Sequence, residues 1–462
     1  MNRTSVLLQC PNPTCLHDAN VAGQPWCERC QTPLCYRYVW AVGDVARQVP
    51  ANVLVGDRYY VIAPQVWLDT QPALLPEGLD ELPPEVRPYF KLYSHRLHVP
   101  VVYGFCQLEP DTAPVMLLEH APIDRKGQVQ PAIETAWEQA TAVRQVYWLW
   151  QLLELWHPLK EANASLSLLI PGNVRVEGWR VRLQELLLTP LEGDRSPMGA
   201  SMGTSLRDLS AVWAGWVARA QPEVIAPLQQ ICQQMQSDQP SQASFQTIRA
   251  ALNQLLLEQA ALLPLKLTVA GATTSGPQRS HNEDACYPLT IGIQPPTNDP
   301  LIPNLAIICD GIGGHAGGEV ASQMALRSLQ LQVLALLAEV AEGEVSPPEV
   351  IAQQLEAIAR VVNNVIAEQN NAQGREARQR MGTTLIMAVQ IPQSVPTPTG
   401  VGNAHELYLV NVGDSRAYWL TADYCHTLTV DDDVTSREVR LGRSLYREAL
   451  RRSDSGALTQ AI

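Results

Sequence analysis

The sequence predicts a multidomain chain: a small metal-stapled cysteine module, an α+β middle region, and a layered α/β part on the C-terminal side. Three observations carry this. The chain has 462 residues, which at about 150 residues per domain points to about three units. Five of its ten cysteines fall within residues 10–35. Before residue 260 strand-like runs come first and helical runs follow, whereas after residue 265 apolar β-runs end in aspartates and glycine-rich turns. An apolar share of 46% is enough for real cores, and 28 Gly with 35 Pro suits several folded units joined by proline-rich connections.

Charge and hydropathy exclude some classes. The net charge of −13 makes general polyanion binding unfavourable, because phosphate backbones are held by Lys and Arg, and no basic patch stands out. The best apolar window, residues 145–159, contains Gln145, Gln151 and Glu154 and falls short of the roughly 18 apolar residues that span a bilayer. The first ten residues are too short an apolar stretch for a signal peptide. We expect a soluble cytoplasmic protein with neither a nucleic-acid nor a membrane partner.

The cysteine module occupies residues 1–50. Its spacing is Cys10-x4-Cys15, eleven residues, then Cys27-x2-Cys30. Two close cysteine pairs on turn-rich segments deliver four thiolates to one tetrahedral ion, and zinc suits that soft sulfur set. About 30 residues cannot build a core alone, so a metal staple is expected. Cys35 is the spare or replaces one of the four, and His17 is a weaker substitute. With Arg29 as the one Lys or Arg between Cys10 and Cys35, docking or scaffolding is the expected role. The module resembles the zinc ribbons that precede regulatory domains in many bacterial proteins.

Residues 54–260 form the middle region. VGDRYYVIAP, VVYGFCQLE and APVMLLEH read as strands. AIETAWEQATAVRQVYWLWQLLELWH reads as one long amphipathic helix, and NVRVEGWRVRLQEL as a hairpin turning at Glu177-Gly178. Helices resume in LRDLSAVWAGWVARA and FQTIRAALNQLLLEQA. This order resembles a protein-kinase domain, with Asn173 matching that family's magnesium-binding Asn. The match implies that Leu168 stands where the catalytic Asp belongs, and Glu185-Leu186-Leu187 where the metal-binding Asp-Phe-Gly belongs. Without those carboxylates the resemblance implies a pseudokinase with a regulatory role.

Residues 265–462 carry the chemistry, in four strings. TVAGATTSGPQRSHNEDACYP reads as a strand, a Gly-Pro loop, then Arg279 and the pair Glu283-Asp284 before the next strand. NLAIICDGIGGHAGGEVASQMAL is an apolar strand ending at Asp310, a glycine-rich turn and a helix. MGTTLIMAVQI opens a strand at Met381, and ELYLVNVGDSRAYWL reads as a hairpin with its tight turn at Gly413-Asp414. Asp284, Asp310 and Asp414 thus lie at the ends of β-runs, where side chains from neighbouring strands converge. Hard carboxylate oxygens select Mg²⁺ or Mn²⁺. Gly311, Gly313 and Gly314 permit close backbone approach, and Arg279 offers a planar fork for phosphate oxygens.

The four strings in this order resemble the metal-dependent protein phosphatases, the PPM or type 2C family, in the bacterial style. The resemblance implies an α/β/β/α-layered sandwich with helices after Gly317 and Pro347 covering one face. It implies two or three Mg²⁺ or Mn²⁺ ions on Asp284, Asp310 and the Gly311 carbonyl, with Asp414 serving a third. Glu283 would orient the attacking water and Arg279 would hold the phosphate of a phosphoprotein. His315 falls on the family's second-motif histidine, and Ile312 stands where some relatives carry a general-acid histidine. The family continues into a Ser-Asp-Gly strand and a late Asp-Asn, whereas here there is no second Asp-Gly and no Asp-Asn. The sandwich is therefore expected to be incomplete, in a fragment of a longer phosphatase or in a degraded one. The leading expectation is a protein-serine/threonine phosphatase, with the cysteine module or kinase-like region available to a regulatory partner. The competing one is a non-catalytic pseudokinase/pseudophosphatase scaffold that binds phosphoproteins without turnover.

Overall fold

The computed structural model describes residues 6–79, 81–110, 112–189, 204–236, 242–277, 279–289, 299–312, 317–343, 345–398 and 400–462. The chain forms two compact units: residues 1–245 with 438–455, and residues 246–437 with 456–462. This division differs from the one drawn by composition, because a segment near the C-terminus packs with the first unit.

The first unit is built on a six-stranded antiparallel sheet. Its strand order is Leu54–Val55, Tyr59–Ala63, Val66–Asp69, Arg37–Ala41, Val115–Glu119 and Val101–Cys106. Alternation of aromatic and β-branched residues made three of these legible. Arg37–Ala41 lies inside the stretch assigned by sequence to the cysteine module, yet it pairs with Val66–Asp69 and with Val115–Glu119, so the sheet starts earlier than composition suggests. Behind the sheet, Val39, Tyr59, Trp67, Tyr103 and Leu117 make a buried core. Beneath that core Asp69 is fully buried and held by both Arg58 Nε and Arg58 Nη2, each at 2.9 Å.

The helical part follows. The long helix expected over AIETAWEQATAVRQVYWLWQLLELWH is broken in two: Ile133–Ala136 runs into a short 3₁₀ turn, and Ala142–Glu161 starts afresh. The break lies at Ala140 and Thr141, both extended, and it lets Trp137 pack between Trp148 and Trp216 at 6.2 and 5.9 Å. Val143, Val146, Leu149, Leu153 and Trp156 mark the buried stripe of the second piece, three or four residues apart. The hairpin forms as expected, Glu177 opposite Arg180, with Gly178 at φ +61°. Helix Leu206–Val217 begins in a capping box between Ser205 and Asp208.

The segment 438–455 completes this unit. Arg447 donates to Glu119 at 2.7 Å and lies over the Tyr103 ring at 5.1 Å, while Tyr446 packs on Tyr93.

The second unit is built on a five-stranded antiparallel sheet in the order Asp284–Tyr287, Leu305–Ile312, Leu385–Ile391 and Glu406–Val412, with Gly382–Thr383 pairing at the end of Leu305–Ile312. Helices Gly318–Glu342 and Pro348–Ala372 cover one face. Ala321, Ala325, Leu329 and Val333 from the first, and Ile351, Leu355, Val362 and Ile366 from the second, bury against Leu305, Ile307, Leu385 and Met387. Among the described residues this five-stranded sheet lies under one helical layer, and two two-stranded pairs, Ser394–Thr397 with Gly400–Asn403 and Tyr418–Leu420 with Cys425–Thr427, stand outside it. On the opposite face Ile308 and Leu407 are about half exposed, at 49% and 57%.

Three local expectations need correction. Residues 264–275 form no ladder strand, and at Gly271 the backbone passes the Pro288 carbonyl with no room for a Cβ. The Gly413-Asp414 turn does not close a hairpin: Tyr418–Leu420 leaves the main sheet and pairs instead with Cys425–Thr427. Helix Gly318–Glu342 is long and apolar enough to cross a membrane by length and composition, with a mean hydropathy of 1.4 in its best window. Its small and aliphatic face is used against the sheet.

Candidate active site

The site grows from one register. Asp284 opens its strand directly opposite Asp310 on the neighbouring strand. Residues paired across antiparallel strands project to the same side, so the two carboxylates share a face. Asp284 is within hydrogen-bonding reach of Asp310, with Asp414 and Glu283 close enough to act on the same carboxyl. Partial desolvation first, and then these three acidic neighbours, push the Asp310 carboxyl up to about 6. Among the described residues, Asp284, Asp310 and Asp414 make no ion pair with a cation, and Glu283 is paired with Arg279; oxygen donors of this kind are the hard ligands that suit a divalent ion. Arg279, 71% exposed, reaches Glu283 at 3.2 Å and stands at the edge of the group.

The backbone around Asp310 is tightly drawn. A Cβ on Gly311 would collide with the carbonyl oxygens of Gly318 and Glu283, so the strand end, the Glu283 turn and the first turn of helix Gly318–Glu342 meet with no room for a side chain. Gly311 N–H donates to the Glu283 carbonyl at 3.2 Å, and Ser322 Oγ donates to the same oxygen at 2.6 Å. Gly313, Gly314 and His315, singled out in the sequence, lie outside the described residues.

The Met381-Gly382-Thr383-Thr384 string carries two threonines whose role is not legible in the sequence. Both are fully buried. Thr384 Oγ1 accepts from the Asp310 N–H at 3.1 Å and meets Ser415 Oγ at 2.7 Å. Thr384 N–H donates to the Asp310 carbonyl at 2.9 Å, and Thr383 Oγ1 donates to it at 3.0 Å. The third string thus ties the second to the fourth. Gly413, at φ +101°, leaves the space that the Thr384 methyl approaches. A further acidic run, missed in the sequence, steadies the Asp414 loop: Gly413 N–H donates to Asp432 Oδ2 at 3.2 Å, and Asp431 takes Arg416 bidentately. Its signal was the triplet Asp431-Asp432-Asp433 itself.

All the residues predicted for the acidic site, Arg279, Glu283, Asp284, Asp310, Gly311 and Asp414, therefore come to one end of one sheet. The four cysteines Cys10, Cys15, Cys27 and Cys30 also come together, with their sulfurs within 4.8 Å of one another.

No family model matches the chain. Among curated proteins, the serine/threonine protein phosphatase PstP of Mycobacterium tuberculosis is 32% identical over 189 residues, covering 41% of this chain and 30% of that protein. The serine/threonine phosphatase stp of Listeria innocua is 29% identical over 194 residues, covering 41% of this chain and 64% of the relative. Among solved structures, the catalytic domain of PstP in complex with two manganese ions is 28% identical over 40% of this chain and 65% of that one, with a TM-score of 0.26. The chain spans less than two thirds of the length of each of these relatives. Over about 40% of its length, then, this chain is similar to bacterial serine/threonine protein phosphatases.

Proposed function

We propose that the second unit belongs to a metal-dependent protein-serine/threonine phosphatase acting on phosphoproteins. The observation that carries this reading is the Asp284–Asp310 pair, opposed across two strands, with Glu283 and Asp414 near enough to raise the same carboxyl electrostatically. The residues present fit the metal: their donors are hard oxygens, as Mg²⁺ or Mn²⁺ requires, and Gly311, which carries no side chain in a tightly packed turn, follows Asp310 directly. Asp284, Asp310 and the Gly311 carbonyl would hold the metal pair, and Asp414 a third ion. When bound, such ions supply Lewis acidity toward a phosphoryl oxygen and make water a better nucleophile.

The chain's own groups do the rest. Arg279, exposed and only singly paired to Glu283, binds phosphate oxygens through its planar fork. Glu283 accepts a hydrogen bond from the attacking water and orients it toward phosphorus. Thr384 and Thr383 fix the Asp310 backbone, so the carboxylate does not move as charge develops. We place the protein in the cytoplasm, in keeping with ten cysteines outside disulfides, and assign any regulatory partner to the first unit.

The test is manganese-dependent hydrolysis of para-nitrophenyl phosphate by the 462-residue chain, beside Asp310→Ala. Turnover that needs Mn²⁺ and is lost in the variant supports the reading. Turnover that persists in Asp310→Ala, or a folded wild-type chain that neither binds Mn²⁺ nor turns over, overturns it.

A further inference from the structure

The cysteine cluster plays no part in the phosphatase reading, and it is the better built of the two candidate metal sites. Cys10 and Cys30 sulfurs lie 3.5 Å apart, and those of Cys15 and Cys27 3.9 Å apart. Thiolates around one tetrahedral ion, with metal–sulfur bonds of about 2.3 Å, lie about 3.8 Å from one another. Among the described residues this is the one group of three or more His, Cys, Asp or Glu side chains whose ligand atoms converge so closely.

The turns around it are shaped for thiolates. The backbone N–H groups of Asn12, His17 and Thr32 point at the sulfurs of Cys10, Cys15 and Cys30, each two residues further along the chain. Four thiolates on a divalent ion leave a net charge of −2, and such N–H donors offset it. Leu16 and Gln31, at φ +47° and +59°, make the reversals that bring each cysteine pair round. Asn20, fully buried, locks the two halves: its Nδ2 donates to the carbonyls of Leu8 and His17, and its Oδ1 accepts from Glu28 N–H, each at 3.0 Å.

The module has almost no other core. Its cluster is Cys10, Cys27 and Leu34, with Cys15, Cys30 and Tyr36 partly buried beside them. Four of those six residues are the cysteines themselves, so apolar burial alone cannot order the segment. Yet the segment is tied to the six-stranded sheet. Gln9 N–H donates to the Thr70 carbonyl at 2.8 Å. Tyr36, whose hydroxyl bridges Gly23 N–H and the Gln24 carbonyl at 2.7 Å each, leads straight into strand Arg37–Ala41. Cys35 stays out of the cluster and lies against Arg37 Nη2 at 3.8 Å.

We propose that Cys10, Cys15, Cys27 and Cys30 hold one structural zinc ion, and that this ion orders residues 6–36 against the start of the sheet. All four tetrahedral positions are filled by protein, so the site is closed to substrate.

The test uses the full chain. Purified protein should carry about one zinc per chain; Cys27→Ser should lose it and Cys35→Ser should keep it. Cobalt exchanged into the wild type should show the visible bands of a tetrahedral tetrathiolate centre, a reading that stands even where Cys27→Ser does not fold. Stripping the metal should speed amide exchange across residues 6–36 by on the order of 100-fold, while strands Tyr59–Ala63 and Val66–Asp69 keep their protection. Absence of stoichiometric metal, iron in place of zinc, loss of zinc from Cys35→Ser, or unchanged exchange after stripping would each overturn the proposal.

Discussion

Replacing Thr384 by Val tests whether one buried hydroxyl holds the candidate site together. Val keeps the shape and removes the oxygen. Two hydrogen bonds go, one from the Asp310 N–H at 3.1 Å and one shared with Ser415 at 2.7 Å, each worth about 1 kcal/mol net. The Asp310 amide then faces a methyl group, adding roughly 1 kcal/mol or more for an unsatisfied donor. The sum is about 3 kcal/mol, which for a unit of roughly 200 residues lowers Tm by on the order of 10 °C. Thr384→Ser is the matched control. It keeps both bonds and loses only the methyl beside Gly413, at about 1 kcal/mol. Thermal unfolding in chelator reads stability, and Mn²⁺ titration reads positioning: Thr384→Val should weaken Mn²⁺ binding by about tenfold, with Thr384→Ser near wild type. If Thr384→Val melts with or above Thr384→Ser, the hydroxyl is not the link between the second and fourth strings.

Two further outcomes follow from charges in the structure. The Asp310 carboxyl is held up to about 6, above its ordinary range, so the folded state binds its proton more tightly than the unfolded state does. Its stabilising contribution is complete below the ordinary carboxylate value and is lost as pH rises through about 6. Metal-free Asp310→Asn should therefore be more stable than wild type at about pH 7.5, with the gain shrinking at about pH 5; a pH-independent difference in unfolding midpoint would refute the assignment. In the first unit, Arg447→Ala strands the Glu119 carboxylate, which is 5% exposed, and should destabilise that unit by about 3–5 kcal/mol. Urea unfolding should show the loss, and adding Glu119→Gln should recover part of it.

What the sequence made legible was local. Strands of alternating aromatic and β-branched residues, the Glu177-Gly178 turn, and the aspartates at strand ends all declare themselves through period and turn chemistry. The Asp284–Asp310 opposition was foreshadowed because both residues flank apolar runs. Properties set by long-range packing stayed hidden. Nothing in RYVWA says that Arg37–Ala41 inserts between Val66–Asp69 and Val115–Glu119, since its partners lie up to some 80 residues away. The helix break at Ala140-Thr141 was invisible because the apolar spacing continues through it, and only the packing of Trp137 against Trp148 and Trp216 demands it. The hairpin expected at Gly413-Asp414 failed for a related reason: Asp431 and Asp432, 15 or more residues on, capture Arg416 and Gly413 and turn the chain away from its own strand.

A motif residue can be weighed by where its hydrogen-bonding capacity goes. Asn173 matches a metal-binding asparagine in sequence, yet it is 6% exposed and used internally. Its two amide hydrogens go to the Ser167 and Glu185 carbonyls at 2.8 and 3.0 Å, and its oxygen accepts from Glu185 N–H at 3.2 Å. Nearby Glu185, the carboxylate at the expected metal-binding string, accepts instead from Trp40 Nε1 at 3.1 Å. Those groups pin the turn before the hairpin to the segment after it, which is architecture. Asp310 shows the reverse. Its backbone amide and carbonyl are engaged with Thr384 and Thr383, while its carboxyl lies within hydrogen-bonding reach of Asp284 and under the electrostatic influence of Asp414 and Glu283. A fixed backbone behind clustered carboxylates is the arrangement that the proposed metal site requires. By that criterion Asn173 and Glu185 serve the architecture of the first unit, whereas the Asp310 carboxylate is available for the role proposed for it.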